Sequence, residues 1–139
     1  MNSEKELIIQ TYKDYVQDFQ SLEPKAILPY YHIPSISISD RGVQVMSTPT
    51  DIEKTFAGTM GILRQQKYAR TDIIEIHVRL MSKGLALVSV DLKRYTEDGE
   101  QIGGSGKTYP FTYTFRKTEE GWKVVVVMLN DRESILRFD

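Results

Sequence analysis

The chain contains no cysteine, so acid–base chemistry in this sequence would have to come from histidine, the carboxylates and the phenols of tyrosine. His32 follows two tyrosines at the end of a predicted helical region, where an imidazole could act as acid or base near neutral pH. Asp91, flanked by apolar residues in a predicted strand, or a tyrosine could be its partner. His32 and Asp91 are therefore candidate catalytic residues. The alternative for His32 is a partly buried side chain that hydrogen-bonds to the backbone.

The remaining polar residues indicate neither a metal nor a cofactor. The second histidine, His77, lies on the polar side of a predicted strand, and the two histidines lack the helical spacing of a metalloprotease pair. Residues 103–108 end like a phosphate-binding loop, but Gln101 stands where that motif needs a glycine. Tyr109 and Pro110 then begin an alternating strand instead of the helix that would face phosphate. We interpret this segment as a flexible hairpin loop.

Eight tyrosines are numerous for a chain of 139 residues. Tyr12 and Tyr15 lie on a predicted helix, and Tyr30 and Tyr31 precede a predicted strand. One interpretation is that they border the core, with hydroxyls that reach water or a backbone group. The other is that several phenols converge on a pocket and orient a polar ligand between apolar walls. The two interpretations are compatible.

The composition excludes several classes of protein. Hydrophobic residues make up 40% and charged residues 27% of the chain, which is typical of a globular domain. The formal net charge of -1 lacks the basic excess of a dedicated nucleic-acid binder. No apolar run approaches the roughly 20 residues that cross a bilayer, and the charged N-terminus lacks the apolar core of a secretory signal. We expect one cytoplasmic domain over residues 1–139, with neither nucleic acid nor membrane as a partner.

The apolar spacing predicts three helices, over residues 3–23, 24–30 and 50–66. Ser3 and Glu6 have the spacing of a capping box at the start of the first helix, and Thr50 and Glu53 have it at the start of the third. Pro24 ends the first helix and can occupy the first turn of the second.

Period-two alternation predicts six strands, over residues 35–39, 43–46, 74–80, 85–95, 109–116 and 122–129. The element order is α-α-β-β-α-β-β-β-β. Helices gathered early and strands gathered late indicate an α+β fold, in which three N-terminal helices pack on the concave face of a curved, mostly antiparallel sheet. In strand 109–116 the side that carries Tyr109, Phe111, Tyr113 and Phe115 is predicted to face inward, because it is the aromatic side.

Three segments carry a resemblance to a known family. They are Tyr30-Tyr31-His32-Ile33-Pro34 running into the first strand, Gly42-Val43 after its turn, and Gly121-Trp122-Lys123-Val124 at the start of the last strand. With the element order, they resemble the nuclear transport factor 2-like superfamily, which includes ketosteroid isomerase, scytalone dehydratase and the polyketide cyclases. The resemblance runs from the first helix through the last strand.

The resemblance implies a cone with a cavity between the helices and the sheet. We expect aromatic residues from separate elements to converge there, and the expected lining is Tyr12, Tyr15, Tyr31, His32, Phe56, Met60 and Trp122. The first hypothesis is a homodimer that binds a small apolar or carbonyl-containing ligand in this cavity without a cofactor. The alternative is a cofactor-independent isomerase, dehydratase or cyclase that acts on a small carbonyl or polyketide-like substrate through His32 and either Asp91 or a tyrosine.

The outer face of the sheet offers a third hypothesis, a protein-interaction or dimerisation module, as in the transport factor itself. The polar residues expected on one sheet face are Glu75, His77, Arg79, Asp91, Lys93, Thr112, Thr114 and Arg116. They could form a solvated face with weak cross-strand ion pairs. They could instead form a homodimer surface, whose expected apolar part is Lys123, Val125, Val127 and Leu129.

Overall fold

The computed structural model describes residues 3–138, and these contain the expected helices. The helices are α1 (Glu4–Phe19), α2 (Pro24–Ile27), which continues into a 3-10 turn over Leu28–Tyr30, and α3 (Pro49–Gln65). Ser3 caps α1 as predicted, because its hydroxyl accepts a hydrogen bond from the backbone N–H of Glu6 at 3.1 Å.

The start of α3 differs from the prediction by two residues. The capping box is formed by Thr48 and Asp51, not by Thr50 and Glu53. Pro49 explains the difference: it occupies the first helical turn, where its missing N–H costs nothing, and so places the cap at the residue before it.

Six strands form one sheet, as predicted for an α+β fold with a mostly antiparallel sheet. They are β1 (Tyr31–Ser39), β2 (Gly42–Met46), β3 (Tyr68–Ser82), β4 (Leu85–Thr96), β5 (Tyr109–Thr118) and β6 (Gly121–Leu129). Their spatial order is β2-β1-β6-β5-β4-β3, and β1–β6 is the parallel pair among them. Register shifts interrupt three of the five pairings, and such irregularities bend a sheet and increase its twist.

The concave face of the sheet carries the core. Tyr113 and Phe115 of β5 lie opposite Val88 and Ala86 of β4, and all four are buried. Tyr12 of α1 is fully buried in the same cluster. The aromatic side of β5 therefore faces inward, as its composition indicates.

A bulge in β6 changes which of its residues face outward. Thr114 pairs with Val126, but the next residue, Phe115, pairs with Val124, so Val125 is the extra residue. Val127 consequently faces inward and is buried, whereas Val126 and Met128 share the outer face with the threonines of β5. The apolar residues that β6 presents on the outer face are thus Val126 and Met128, instead of the expected Val125, Val127 and Leu129.

The C-terminal residues 130–138 cross the outer face of the sheet after a 3-10 turn over Arg132–Ser134. Thr112 of β5 donates to Asn130 at 2.8 Å, and Ser89 of β4 accepts from the backbone N–H of Leu136 at 2.9 Å. Arg137 donates two hydrogen bonds of 2.9 Å to Glu75 of β3. This strap of residues 130–138 covers part of the predicted polar face.

We expect the strap to dissociate from the outer face of the sheet at low pH. Hydrogen bonds from Arg137 and His77 lower the pKa of Glu75 from 4.5 to about 2. The pKa of Glu75 is lower in the folded than in the unfolded chain, so the ionised Glu75 carboxylate stabilises the folded state. This contribution is complete above pH 4.5 and is lost as the pH falls through about 2. The NMR shift of the Leu136 amide, followed against pH, should titrate near the lower value. In Glu75→Gln this transition should vanish, and an unchanged transition in that variant would contradict the assignment.

Within residues 3–138, no helix is both long and apolar enough to cross a membrane.

Candidate functional site

A cavity of about 480 Å³ lies between α1, α3 and the concave face of the sheet. The buried residues Tyr12, Leu92, Tyr113 and Val127 form its base. Its mouth is marked by exposed residues, namely Arg41, Thr59, Ile62, Gln66 and Leu129. The cavity therefore connects the core to solvent through the space between α3 and the β1–β2 turn.

Two pairs of tyrosine hydroxyls lie beside the cavity. The hydroxyls of Tyr12 and Tyr113 are 3.0 Å apart, and those of Tyr15 and Tyr31 are 2.9 Å apart. Burial raises the pKa of all four, that of Tyr15 to about 12, so they remain protonated at neutral pH. Each pair has two protons and uses one in its mutual hydrogen bond. The hydroxyl of the Tyr12–Tyr113 pair that is not used as a donor within the pair can therefore donate a hydrogen bond to a ligand.

Arg94 of β4 is a cavity residue that the sequence analysis missed. Its guanidinium carbon lies 4.5 Å from the centroid of the Tyr109 ring, and both residues line the cavity. Its charge reaches the buried phenols, because it offsets part of the rise that burial causes in the pKa of Tyr12 and Tyr15. The sequence did contain a signal: Arg94 continues the alternation of Ala86, Val88, Val90 and Leu92, which predicts an inward direction.

The ionisable side chains of the lining are all basic or phenolic. Arg41 and Arg94 line the cavity, and no aspartate, glutamate or histidine of the described chain does so. The polar remainder consists of hydroxyls and one amide, those of Ser37, Thr55, Thr59, Thr71 and Gln66. The wall therefore offers hydrogen-bond donors and positive charge but no carboxylate or imidazole base.

Three of the seven expected lining residues are in the wall, namely Tyr12, Tyr15 and Phe56. Tyr31 lies behind them, with its ring 5.0 Å from that of Phe56. Met60 is buried in the core. Trp122 is also buried and donates its indole N–H to Glu4 at 2.8 Å. These aromatic and apolar side chains do converge, but Tyr31, Met60 and Trp122 pack in the core instead of facing the cavity.

His32 projects away from the cavity. Neighbouring strand residues face opposite sides, and Tyr31 uses the inner side. The His32 Nδ1 is 2.9 Å from the carbonyl oxygen of Pro34, and its Nε2 is 3.1 Å from the guanidinium of Arg116. The contact with the Pro34 carbonyl agrees with the alternative interpretation, a partly buried His32 that hydrogen-bonds to the backbone. The expectation that His32 lines the cavity is wrong.

Asp91 also faces outward, because its neighbour Leu92 lines the cavity. Its side chain is 1% exposed, and its Oδ2 lies 3.6 Å from the Nε of Arg132 in the strap. The structure does not bring His32 and Asp91 together at the cavity. Across residues 3–138, no three His, Asp or Glu side chains are grouped so that they could hold a metal ion.

A helix-roofed cavity over a curved six-stranded sheet defines the conical α+β class that the sequence resembles. The chain belongs to this class: it is a member of the family described as NTF2-like protein (DUF6841), whose model matches residues 3–132. The predicted superfamily is thereby confirmed.

Solved structures with the same fold are distant in sequence. An NTF2-like protein with a cystatin-like fold from Novosphingobium aromaticivorans is 18% identical, with a TM-score of 0.71 over 94% of this chain and 84% of that one. A protein of unknown function from Nostoc punctiforme is 12% identical, with a TM-score of 0.70 over 94% and 92%. An NTF2-like protein from Shewanella oneidensis is 15% identical, with a TM-score of 0.67 over 89% and 96%. These similarities show the fold alone. No curated protein matches the chain in sequence.

Proposed function

We propose that this protein is a homodimer that binds a small, largely apolar ligand in its cavity. The observation that carries this proposal is the cavity itself, since its volume of about 480 Å³ lies in the range of ligand pockets, roughly 300–1,000 Å³. Aromatic and aliphatic side chains from α1, α3 and the sheet form most of its walls, and the hydroxyls, the amide and the two arginines described above lie among them. Such walls suit a ligand with an apolar body and one or two polar atoms.

Binding is favoured over catalysis by the chemistry of the wall. An isomerase, dehydratase or cyclase needs a proton acceptor within hydrogen-bond reach of its substrate. The tyrosines at the base stay protonated at neutral pH, and His32 and Asp91 face away from the cavity. The enzymatic alternative therefore receives no support from the described lining.

An exposed apolar patch supports the homodimer. On the outer face of the sheet, β2, β1 and β6 carry side chains that share one surface: Ile36, Ile38, Val43, Val45, Val126 and Met128. Val43 is 56% and Val45 60% exposed. Contiguous apolar surface of this kind marks an interaction site. The strap covers the β3–β4–β5 half of the same face, so a second copy would dock on the β2–β1–β6 half.

The cavity is tested by narrowing it from β1. Ser37 lines the cavity beside Val127, whereas Ser39 lies two residues further along the strand and outside the lining. We expect wild-type protein to bind the neutral fluorescent probe N-phenylnaphthylamine saturably. Ser37→Phe should weaken that binding by about tenfold or more, because the added ring competes with the probe for the same volume.

The matched control is Ser39→Phe, which adds the same ring to the same strand and should bind the probe like wild type. Fluorescence titrations measure all three proteins. Equal affinities for the two variants, or no saturable binding by wild type, would contradict a ligand-binding cavity.

A further inference from the structure

The side chain of Arg94 is an unpaired cation in the cavity wall. Its Nε is inaccessible to solvent and has no hydrogen-bond partner. Throughout the part of the chain that the structure describes, the guanidinium forms neither a hydrogen bond nor an ion pair. A buried donor without a partner is costly, because it has lost its hydrogen bonds to water. Native proteins satisfy most such groups. The two terminal nitrogens of the guanidinium are not enclosed as Nε is, and they too have no partner in the described chain, so they are open to a partner that comes from outside it.

Two other arginines of the protein, Arg70 and Arg64, do have acidic partners. Arg70 also stacks on a tyrosine, with its guanidinium carbon 4.2 Å from the centroid of the Tyr95 ring. It additionally pairs with Asp72 at 3.2 Å. Arg64 pairs with Glu23 at 3.2 Å. A guanidinium over a tyrosine ring is thus not necessarily unpaired in this protein, and Arg94 differs from these two arginines in forming no ion pair within the described chain.

The charges around the cavity favour an anion. Arg41 at the mouth adds a second positive charge, and the described lining contains no carboxylate to offset either one. Clefts that carry one sign of charge between apolar walls concentrate the field and attract the opposite charge. A neutral ligand would leave the Arg94 guanidinium uncompensated, whereas an anionic ligand would pair with it.

The geometry of Arg94 favours a planar anion. The guanidinium carbon lies over the Tyr109 ring, and the two terminal nitrogens, unlike the enclosed Nε, are available to a ligand. A guanidinium edge matches a carboxylate, which can accept two parallel hydrogen bonds from it. In the same cavity, Tyr15, Phe19 and Phe111 supply ring surfaces that suit an aromatic ligand body, and the Phe111 ring centroid lies 5.9 Å from the guanidinium carbon of Arg94.

We propose that the ligand is an aromatic carboxylic acid whose carboxylate is bound by Arg94. This proposal rests on the ligand-binding function proposed above and specifies its ligand class. The aromatic body would lie against the ring-lined wall, and the carboxylate would accept hydrogen bonds from the guanidinium.

The experiment compares two probes that differ in charge. Naphthylacetate carries a carboxylate at pH 7, and naphthylacetamide replaces it with a neutral amide of similar shape. Calorimetric titration of wild type should give the carboxylate about tenfold to hundredfold tighter binding, as expected for a hydrogen-bonded charged group. Arg94→Gln should remove this preference, and Arg94→Lys should retain part of it. Arg70→Gln, which alters a stacked arginine outside the cavity, should leave the preference intact.

The neutral probe N-phenylnaphthylamine separates this proposal from the more general one. If it binds wild type and Arg94→Gln equally, the variant is folded and its cavity is open, so a lost carboxylate preference is due to Arg94. Equal binding of naphthylacetate and naphthylacetamide by wild type would overturn the carboxylate proposal while the cavity retained its proposed function. Failure of all three probes to bind wild type would overturn both.

Discussion

Replacing Asp91 with valine is expected to raise the free energy of unfolding by about 1–4 kcal/mol. The Asp91 carboxylate is buried, and neither of its oxygens has a hydrogen-bond partner in the described chain. Arg132 provides its counter-charge from 3.6 Å, but the Arg132 side chain is 63% exposed and so keeps most of its hydration. Burying a carboxylate costs more than so loose a pair returns, and valine avoids that cost.

The companion variant Arg132→Met should lower the free energy of unfolding by about 1–3 kcal/mol, because it leaves the Asp91 carboxylate without a counter-charge. In an Asp91→Val background the same change should have almost no effect, which a double-mutant cycle by urea denaturation measures. Lys93→Val is the control: it lies on the same face of the same strand but is partly exposed. Destabilisation by Asp91→Val would contradict this account of the buried carboxylate.

Periodicity predicted the parts of the fold in which burial alone decides the direction of a side chain. The aromatic alternation of β5 is an example, since Phe111, Tyr113 and Phe115 must all leave water and can do so on the concave side. The strands, the helices and the conical arrangement followed from such patterns. The sequence could not place the bulge at Val125, because four consecutive valines have no alternation from which a register shift could be detected.

The candidate site was harder to predict than the fold. His32 was expected in the cavity, but the direction of a polar side chain near the start of β1 depends on where the preceding 3-10 turn ends, and composition does not fix that. Arg94 was missed although its direction could be predicted. Its position in the alternation of β4 predicted the inner face, but arginine is usually exposed, so its residue type masked the signal.

The strap was also beyond prediction. Residues 130–138 contain two arginines, but nothing local indicates that they pair with Asp91 and Glu75, which lie far away in sequence. Ile135 is the buried apolar residue of the strap and lacks a periodic neighbour. Long-range pairings of this kind decide how much of the outer sheet face stays open, and therefore where a second copy could bind.

Replacing both Val43 and Val45 with arginine is expected to convert the proposed dimer into a monomer. The two valines are the most exposed part of the apolar patch on β2 and would lie within the interface. Each substitution would bury a charge without a partner in the interface, so dimerisation should be lost entirely. The folded chain should tolerate both changes, because both side chains already face solvent in the single chain.

Light scattering coupled to size-exclusion chromatography measures the mass, which should fall from that of two chains to that of one. The melting temperature of wild type should also rise with protein concentration, whereas that of the double variant should not. Met81→Arg is the control, since Met81 is an apolar residue that is 56% exposed and lies outside the patch. This variant should remain a dimer. A wild type that remains monomeric at high concentration would contradict the homodimer, and the patch would then be available to a different protein, as in the third hypothesis.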